Sequence, residues 1–203
     1  MSTVPKSLMS EAEYLAFERQ SRDKHEFYLG EIFAMSGASR KHNLIAGNFF
    51  GELRERLKDR RGEAYVGDMR VRVKPNGLYT YPDVVVVCGE PEFLDSDVDT
   101  LLNPTLLIEV LSDSTEKNDR GTKFKQYRQI PSLREYILVS QDEPSIEHFS
   151  RRGDTYWKLT ETAGLDSQLD LSSLGCQIPL AESYSKVVFS PKEDGLANGN
   201  VES

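Results

Sequence analysis

Two apolar runs constrain this chain most: Tyr81-Pro82-Asp83-Val84-Val85-Val86-Val87-Cys88 and Leu106-Leu107-Ile108-Glu109-Val110-Leu111-Ser112. Each is short, aliphatic or β-branched, and bounded by Gly, Pro, Asn or Ser, the pattern of a buried strand. Each also carries one carboxylate where an apolar residue is expected. Glu109 lies between Ile108 and Val110, and an ionised carboxylate there is costly unless a cation or hydrogen bonds compensate it. Glu109 therefore needs a partner. A metal ion shared with Asp83 would serve.

At 203 residues the chain suits one domain with a full core, expected over residues 1–190. The stretch from Pro191 to Ser203 has almost nothing to bury and is expected to be a disordered tail. The first 30 residues hold no unbroken apolar segment, so no signal peptide is expected. No run approaches the ~20 apolar residues that span a bilayer. With only Cys88 and Cys176, neither a disulfide framework nor a cysteine zinc site is available. A cytoplasmic protein with no membrane contact is the expectation.

A net charge of −8 argues against a nonspecific nucleic-acid coat, but its distribution matters more. Arg40 to Arg61 holds seven Lys/Arg against three Glu/Asp, and Thr115 to Gln129 holds five against two. Gly89 to Asn103 carries five acids and no base. The two basic segments flank the carboxylate strands and could meet a polyanion, or could be solvated helix faces.

Taken in order, Ser10-Glu11-Ala12-Glu13 has capping-box spacing and predicts a helix from Glu11 to about Gln20. His25 to Met35 reads as a hairpin hinged at Gly30. Leu44, Ile45, Phe49, Leu53 and Leu57 recur at helical spacing, so Arg40 to Arg61 is the first long helix, ended by Gly62. Ala64 to Lys74 alternates as one half-buried strand with a cationic face that includes Arg70 and Arg72. Asn76-Gly77 is a hairpin turn that makes this strand the antiparallel neighbour of Tyr81–Cys88. After an acidic loop and the Thr105–Ser112 strand, a helix begins between Thr115 and Asp119 and ends near Ile130-Pro131. A strand at Glu135–Val139 and a hairpin over Ser145–Arg151 and Thr155–Thr160 follow, then weakly patterned chain. The expected architecture is α/β: a mixed sheet flanked by helices, with added N- and C-terminal hairpins.

Two carboxylates brought side by side repel unless one is protonated or a cation sits between them. Oxygen ligands without Cys or a His pair favour a hard ion such as Mg²⁺, or Mn²⁺. Pro82 has no N–H for a ladder, so pairing is interrupted beside Asp83 and a site can open there. At about 100° per residue, Phe124, Tyr127 and Ile130 define an apolar stripe. Lys123 falls about 40° from its centre and Lys125 about 160° away. Lys123 is thereby aimed at the carboxylates, with Arg120 one turn earlier as runner-up. Asp119 and Lys123, four apart, could instead simply pair with each other.

Pro82-Asp83, Glu109 at a strand end and a following lysine resemble the PD-(D/E)XK restriction-endonuclease-like superfamily. More narrowly, three strings are similar to the Uma-type family of restriction-endonuclease-like proteins: Glu109-Val110-Leu111-Ser112-x-Ser114-Thr115, Asp119-Arg120-Gly121-x-Lys123-Phe124-x-x-Tyr127 and Pro131-x-x-x-Glu135-Tyr136. Glu26-Phe27-Tyr28-Leu29-Gly30-Glu31 and His42 at the start of the first long helix match as well, and the likeness covers roughly Tyr14 to Phe149. Leu111 stands where the superfamily lysine usually lies, so the resemblance implies that Lys123 replaces it from the next helix. The superfamily's helix carboxylate has no clear match. Glu52, Glu55, Glu26 and Glu31 are alternatives.

The resemblance implies Mg²⁺-assisted hydrolysis of DNA phosphodiesters. Asp83 and Glu109 would hold the ion, and Lys123 would orient water or offset phosphate charge. His42, Glu31, Glu26, Arg120 and Tyr127 are possible further members of the site. Arg70, Arg72, Lys117 and Lys125 would contact the nucleic-acid backbone. A homodimer would let such an enzyme cut both strands. A silent relative that binds nucleic acid or a protein partner is a second possibility. A structural protein with Glu109–Lys123 as a buried ion pair is a third.

Overall fold

The computed structural model describes residues 8–112, 116–153 and 156–189. The expected tail and the motif residues Ser114 and Thr115 lie outside them. Strand β1 (His25–Tyr28) and β2 (Glu31–Ala34) form the predicted hairpin, and helix α1 (Glu11–Glu18) precedes them. The capping box is present, with Ser10 accepting from the Glu13 N–H and the Glu13 carboxylate accepting from the Ser10 N–H. Helix α2 (Arg40–Leu57) starts at Ser39, whose Oγ accepts from the His42 N–H at 3.0 Å.

The predicted strand from Ala64 to Lys74 is two strands, β3 (Gly62–Val66) and β4 (Arg70–Val73). Gly67, at φ +65, breaks the run, since only glycine enters that region cheaply. The partner run divides likewise into β5 (Leu78–Thr80) and β6 (Val84–Cys88). The expected antiparallel pairing holds, but in two pieces: β3 pairs with β6 and β4 with β5, in different sheets. One long hairpin thus crosses from sheet to sheet, and Asp83 sits in the crossing rather than within a strand.

The acidic segment contains a short strand, β7 (Thr100–Leu101), parallel to β4. Strand β8 (Leu106–Val110) pairs with β6 antiparallel and with β9 (Glu135–Val139) parallel. Hairpin β10 (Ser145–Arg152) and β11 (Tyr156–Ala163) extends this sheet, giving the order β11-β10-β9-β8-β6-β3. A second sheet, not foreseen, has the order β2-β1-β5-β4-β7. Strands β12 (Gln168–Leu171) and β13 (Cys176–Pro179) pair with each other, and helix α5 (Leu180–Ser183) follows them.

Side chains alternate across the main sheet, and each face has its own core. Val84, Val86, Leu106, Ile108 and Val110 pack under α2 with Ile45, Phe49, Leu53 and Leu57. Burying each of those helix residues contributes about 1.5–3 kcal/mol, so Phe49→Ala should cost roughly 3–5 kcal/mol. On the opposite face Val85, Val87, Leu107 and Leu111 pack with Val71 and Val73 of the second sheet and with Tyr127, Ile130 and Leu133. Glu109 points to this second face.

The chain over that face is α-helical at α3 (Glu116–Asn118), π-helical at Asp119–Lys123 and α-helical again at α4 (Phe124–Tyr127). A π turn rotates each residue by less than the 100° of an α-helix. Arg120, three positions before Lys123, consequently falls off the buried stripe, whereas Asp119, four before, stays on it and is 2% exposed.

Candidate functional site

The register Val84↔Ile108, Val85↔Leu107, continued by one residue, sets Asp83 opposite Glu109. The ladder stops there. In place of a backbone carbonyl, Asp83 Oδ2 accepts from the Val110 N–H at 2.7 Å. His42, in the first turn of α2, brings Nε2 to 3.1 Å from the same Oδ2.

On the neighbouring strand, Glu109 Oε1 accepts from the Tyr127 hydroxyl at 2.8 Å and lies 3.2 Å from Lys123 Nζ. That ammonium also lies 3.3 Å from Glu26 Oε1 on β1 and 3.2 Å from Asp119 Oδ1 on the π turn. Thr80 donates its hydroxyl proton to Glu26. Both sheets and the helical segment therefore contribute to one cluster, at the floor of a cleft of about 1190 Å³. Seven carboxylates and five cationic side chains line that cleft. Arg22, Lys24 and Lys41 are among the cations, as is Lys123 itself.

Burial drives the electrostatics. It raises the Glu109 carboxyl to about 8; Lys123 opposes this, and Asp83, Asp119 and Glu26 add to it. Burial also works against the Lys123 ammonium, yet the carboxylates of Glu109, Glu26 and Asp119 outweigh it and hold the group well above its ordinary value. Burial and the nearby Glu109 raise Tyr127 far above a free phenol, so it stays a neutral donor. One ammonium faces three carboxylates at contact distance, with a fourth, Asp83, close by. The cluster has an excess of negative charge.

Those residues fit a hard divalent cation. Among the described contacts, Asp83 and Glu109 each commit one oxygen and keep the other. Among the described residues no three His, Cys, Asp or Glu side chains are grouped to hold an ion unaided. An ion here would complete its shell with water or phosphate oxygens, which is the habit of Mg²⁺.

The structure thus brings together Asp83, Glu109, Lys123, His42, Glu26 and Tyr127 of the residues singled out in the sequence. Others lie elsewhere. Arg70 is 3% exposed, 2.6 Å from Asp99, and bonded to Thr100, and Arg72 lies 2.8 Å from Glu11. Both are structural cations, because α1 and the acidic segment cover the face that looked open to nucleic acid. Arg120 lines the cleft, but its described pairs are Glu116 and Glu147 rather than the carboxylates around Lys123. Glu31 opposes Tyr28 in the hairpin and does not line the cleft. Glu52 and Glu55 pair with Arg56 and Lys58 along α2. Lys117 and Lys125 are exposed, outside the cleft lining. Asp119 and Thr80 were missed as site residues. Asp119 lies four positions before Lys123, a spacing equally consistent with a surface pair.

Comparisons with known proteins converge. A family model described as "Uma2: Putative restriction endonuclease" matches residues 11–181. The protein sll1609 of Synechocystis sp. (strain ATCC 27184 / PCC 6803 / Kazusa) is 39% identical over 172 residues, spanning 85% of this chain and 97% of its own. The protein slr1290 of the same organism is 32% identical over 189 residues, spanning 92% and 97%. A crystal structure described as "a putative nuclease belonging to DUF820" from Anabaena variabilis ATCC 29413 superposes with a TM-score of 0.73. At 15% identity over 89% of this chain and 99% of that one, it shares the fold. No helix among the described residues is long and apolar enough to cross a membrane.

Proposed function

The chain belongs to the Uma2 family, and on that premise we propose that it is a metal-dependent endonuclease hydrolysing phosphodiester bonds in DNA. The observation that carries this reading is the convergence of Asp83, Glu109 and Lys123 on one cleft floor with more carboxylate than cation. Asp83 and Glu109 would hold Mg²⁺ or Mn²⁺, which when bound polarises a phosphate and lowers the pKa of water. His42 and the Val110 N–H orient the Asp83 carboxylate by gripping a single oxygen. Tyr127 does the same for Glu109. Lys123, kept cationic, offsets charge that develops on the phosphate. Arg22 and Lys41 on the cleft lining would meet the nucleic-acid backbone without reading sequence. Cutting both strands calls for two copies, and a homodimer would supply them.

A second reading is a catalytically silent member that binds nucleic acid or a protein partner. The predominance of acids in the cleft lining favours it. Supercoiled-plasmid nicking with Mg²⁺ or Mn²⁺ separates the two. The endonuclease reading expects nicking by wild type and a loss of about 100-fold or more in Asp83→Ala and Lys123→Ala. Equal nicking by wild type and Lys123→Ala would remove the lysine from the mechanism. Retarded DNA without nicking would support the silent reading.

A further inference from the structure

Lys123 is the ammonium of a closed cage. Its three carboxylate contacts come from three separate elements: Glu109 from β8, Asp119 from the π turn and Glu26 from β1 of the second sheet. The lysine side chain is 11% exposed and the Asp119 side chain 2%. Asp119 Oδ1 is buried without a hydrogen bond, and its described contact is the ion pair with the Lys123 ammonium at 3.2 Å. The π turn puts it there, and π turns interrupt helices frequently where function requires it. Glu26 is fixed in turn by the Thr80 hydroxyl.

The three contacts are not equivalent in a working site. A divalent ion taken up by Glu109 would compete with Lys123 for that carboxylate. With Glu109 engaged elsewhere, Glu26 and Asp119 remain to hold the ammonium. We infer that Glu26 and Asp119 are positioning residues that keep the Lys123 ammonium fixed at the cleft floor while Glu109 is occupied by metal. The inference rests on the endonuclease reading for its catalytic consequence. The cage itself does not depend on that reading. Neither acid touches the reacting atoms. Each acts through the lysine, and the second sheet thereby becomes part of the machinery.

Two measurements test this. In single-turnover nicking at saturating Mg²⁺, Glu26→Gln and Asp119→Asn should each lower the rate about 10- to 100-fold, the range expected when a reacting group is slightly misplaced. KM for plasmid should stay within about threefold, because the DNA-facing cations are untouched. Each substitution combined with Lys123→Ala should cost no more than Lys123→Ala alone, since residues acting as a unit are not additive. A wild-type rate in both single variants, or full additivity in the double variants, overturns the inference.

The second measurement needs no activity. Folded wild type is acetylated in a timed reaction, and labelling is read by mass spectrometry. Lys123 should label far more slowly than exposed Lys125. Its labelling should rise about tenfold in Glu26→Gln and in Asp119→Asn, with Lys125 unchanged. Lys123 labelling as fast as Lys125 in wild type, or unaltered by both substitutions, overturns the cage. Slow, cage-dependent labelling in a protein that never nicks DNA would retain the cage and sink only the endonuclease reading.

Discussion

Glu109 and Glu135 stand on neighbouring parallel strands, β8 and β9, and are about equally buried, at 4% and 2% exposure. Their surroundings differ in kind. Glu135 is met by donors: Ser173 Oγ gives a hydrogen bond at 2.6 Å, Ser172 and the Ser173 N–H approach at 3.4 Å, and His148 Nε2 lies 3.5 Å away, at the outer limit of bonding. Burial raises its carboxyl, but His148 and Ser173 outweigh that and hold it below the ordinary value. Glu109 has the tyrosine hydroxyl and a lysine shared among three acids, and burial raises its carboxyl. A buried carboxylate is therefore not by itself a site. What distinguishes Glu109 is incomplete compensation beside an open cleft, the condition under which a cation can bind.

Exchanging each glutamate for its amide is the strongest way to break this comparison. Glu109→Gln should lower plasmid nicking by about 100-fold or more, whereas Glu135→Gln should nick like wild type. Stability should rank the other way. Urea melts of Glu135→Gln should show a loss of roughly 2–3 kcal/mol, because its charge-assisted hydrogen bonds are weakened in the interior. Near pH 7, Glu109→Gln should lie within about 1 kcal/mol of wild type, since a carboxyl raised to about 8 is already largely protonated there.

The pH dependence sharpens the same contrast. Glu109 binds its proton more tightly folded, at about 8, than its ordinary value of 4.5. Its contribution to stability is full below pH 4.5 and is lost as pH rises through 8. Glu135 binds its proton less tightly when folded, so its contribution is present above its unfolded value and lost as pH falls through the folded one. Stability measured by urea from pH 5 to 9 should decline less steeply in Glu109→Gln than in wild type, by up to about 1.4 kcal/mol per unit. Carried on below pH 4.5, the same series should show Glu135→Gln flattening only the acid limb. The smallest effect is Arg120→Ala: its partly exposed ion pairs with Glu116 and Glu147 should together contribute within about 1 kcal/mol.

Much of this was legible in the residues. Short aliphatic runs located β6 and β8, and the helical recurrence of Leu44 to Leu57 located α2. The apolar stripe through Phe124, Tyr127 and Ile130 put Lys123 on the buried side, and the interrupted ladder at Pro82 marked the opening beside Asp83. Other features depend on what covers a surface, which local pattern does not carry. Alternation runs unbroken from Ala64 to Lys74, so nothing announced that the chain changes sheets at Gly67. Arg70 and Arg72 read as a cationic face because Glu11 and Asp99 lie far off in sequence. The donors that satisfy Glu135 lie about as far away, at Ser172 and Ser173. Arg120 turned outward because the helix there widens into a π turn, a departure that a strict 100° period excludes.

The account turns on whether the Asp83–Glu109 pair takes up a divalent ion, and thermal melts with added Mg²⁺ or Mn²⁺ measure that most directly. At a hundredfold excess over Kd, wild type and Glu135→Gln should each gain about 5–10 °C, and Asp83→Ala and Glu109→Gln should gain nothing. A wild-type melting temperature indifferent to both ions, or an ion-dependent rise that survives in Asp83→Ala, would contradict it.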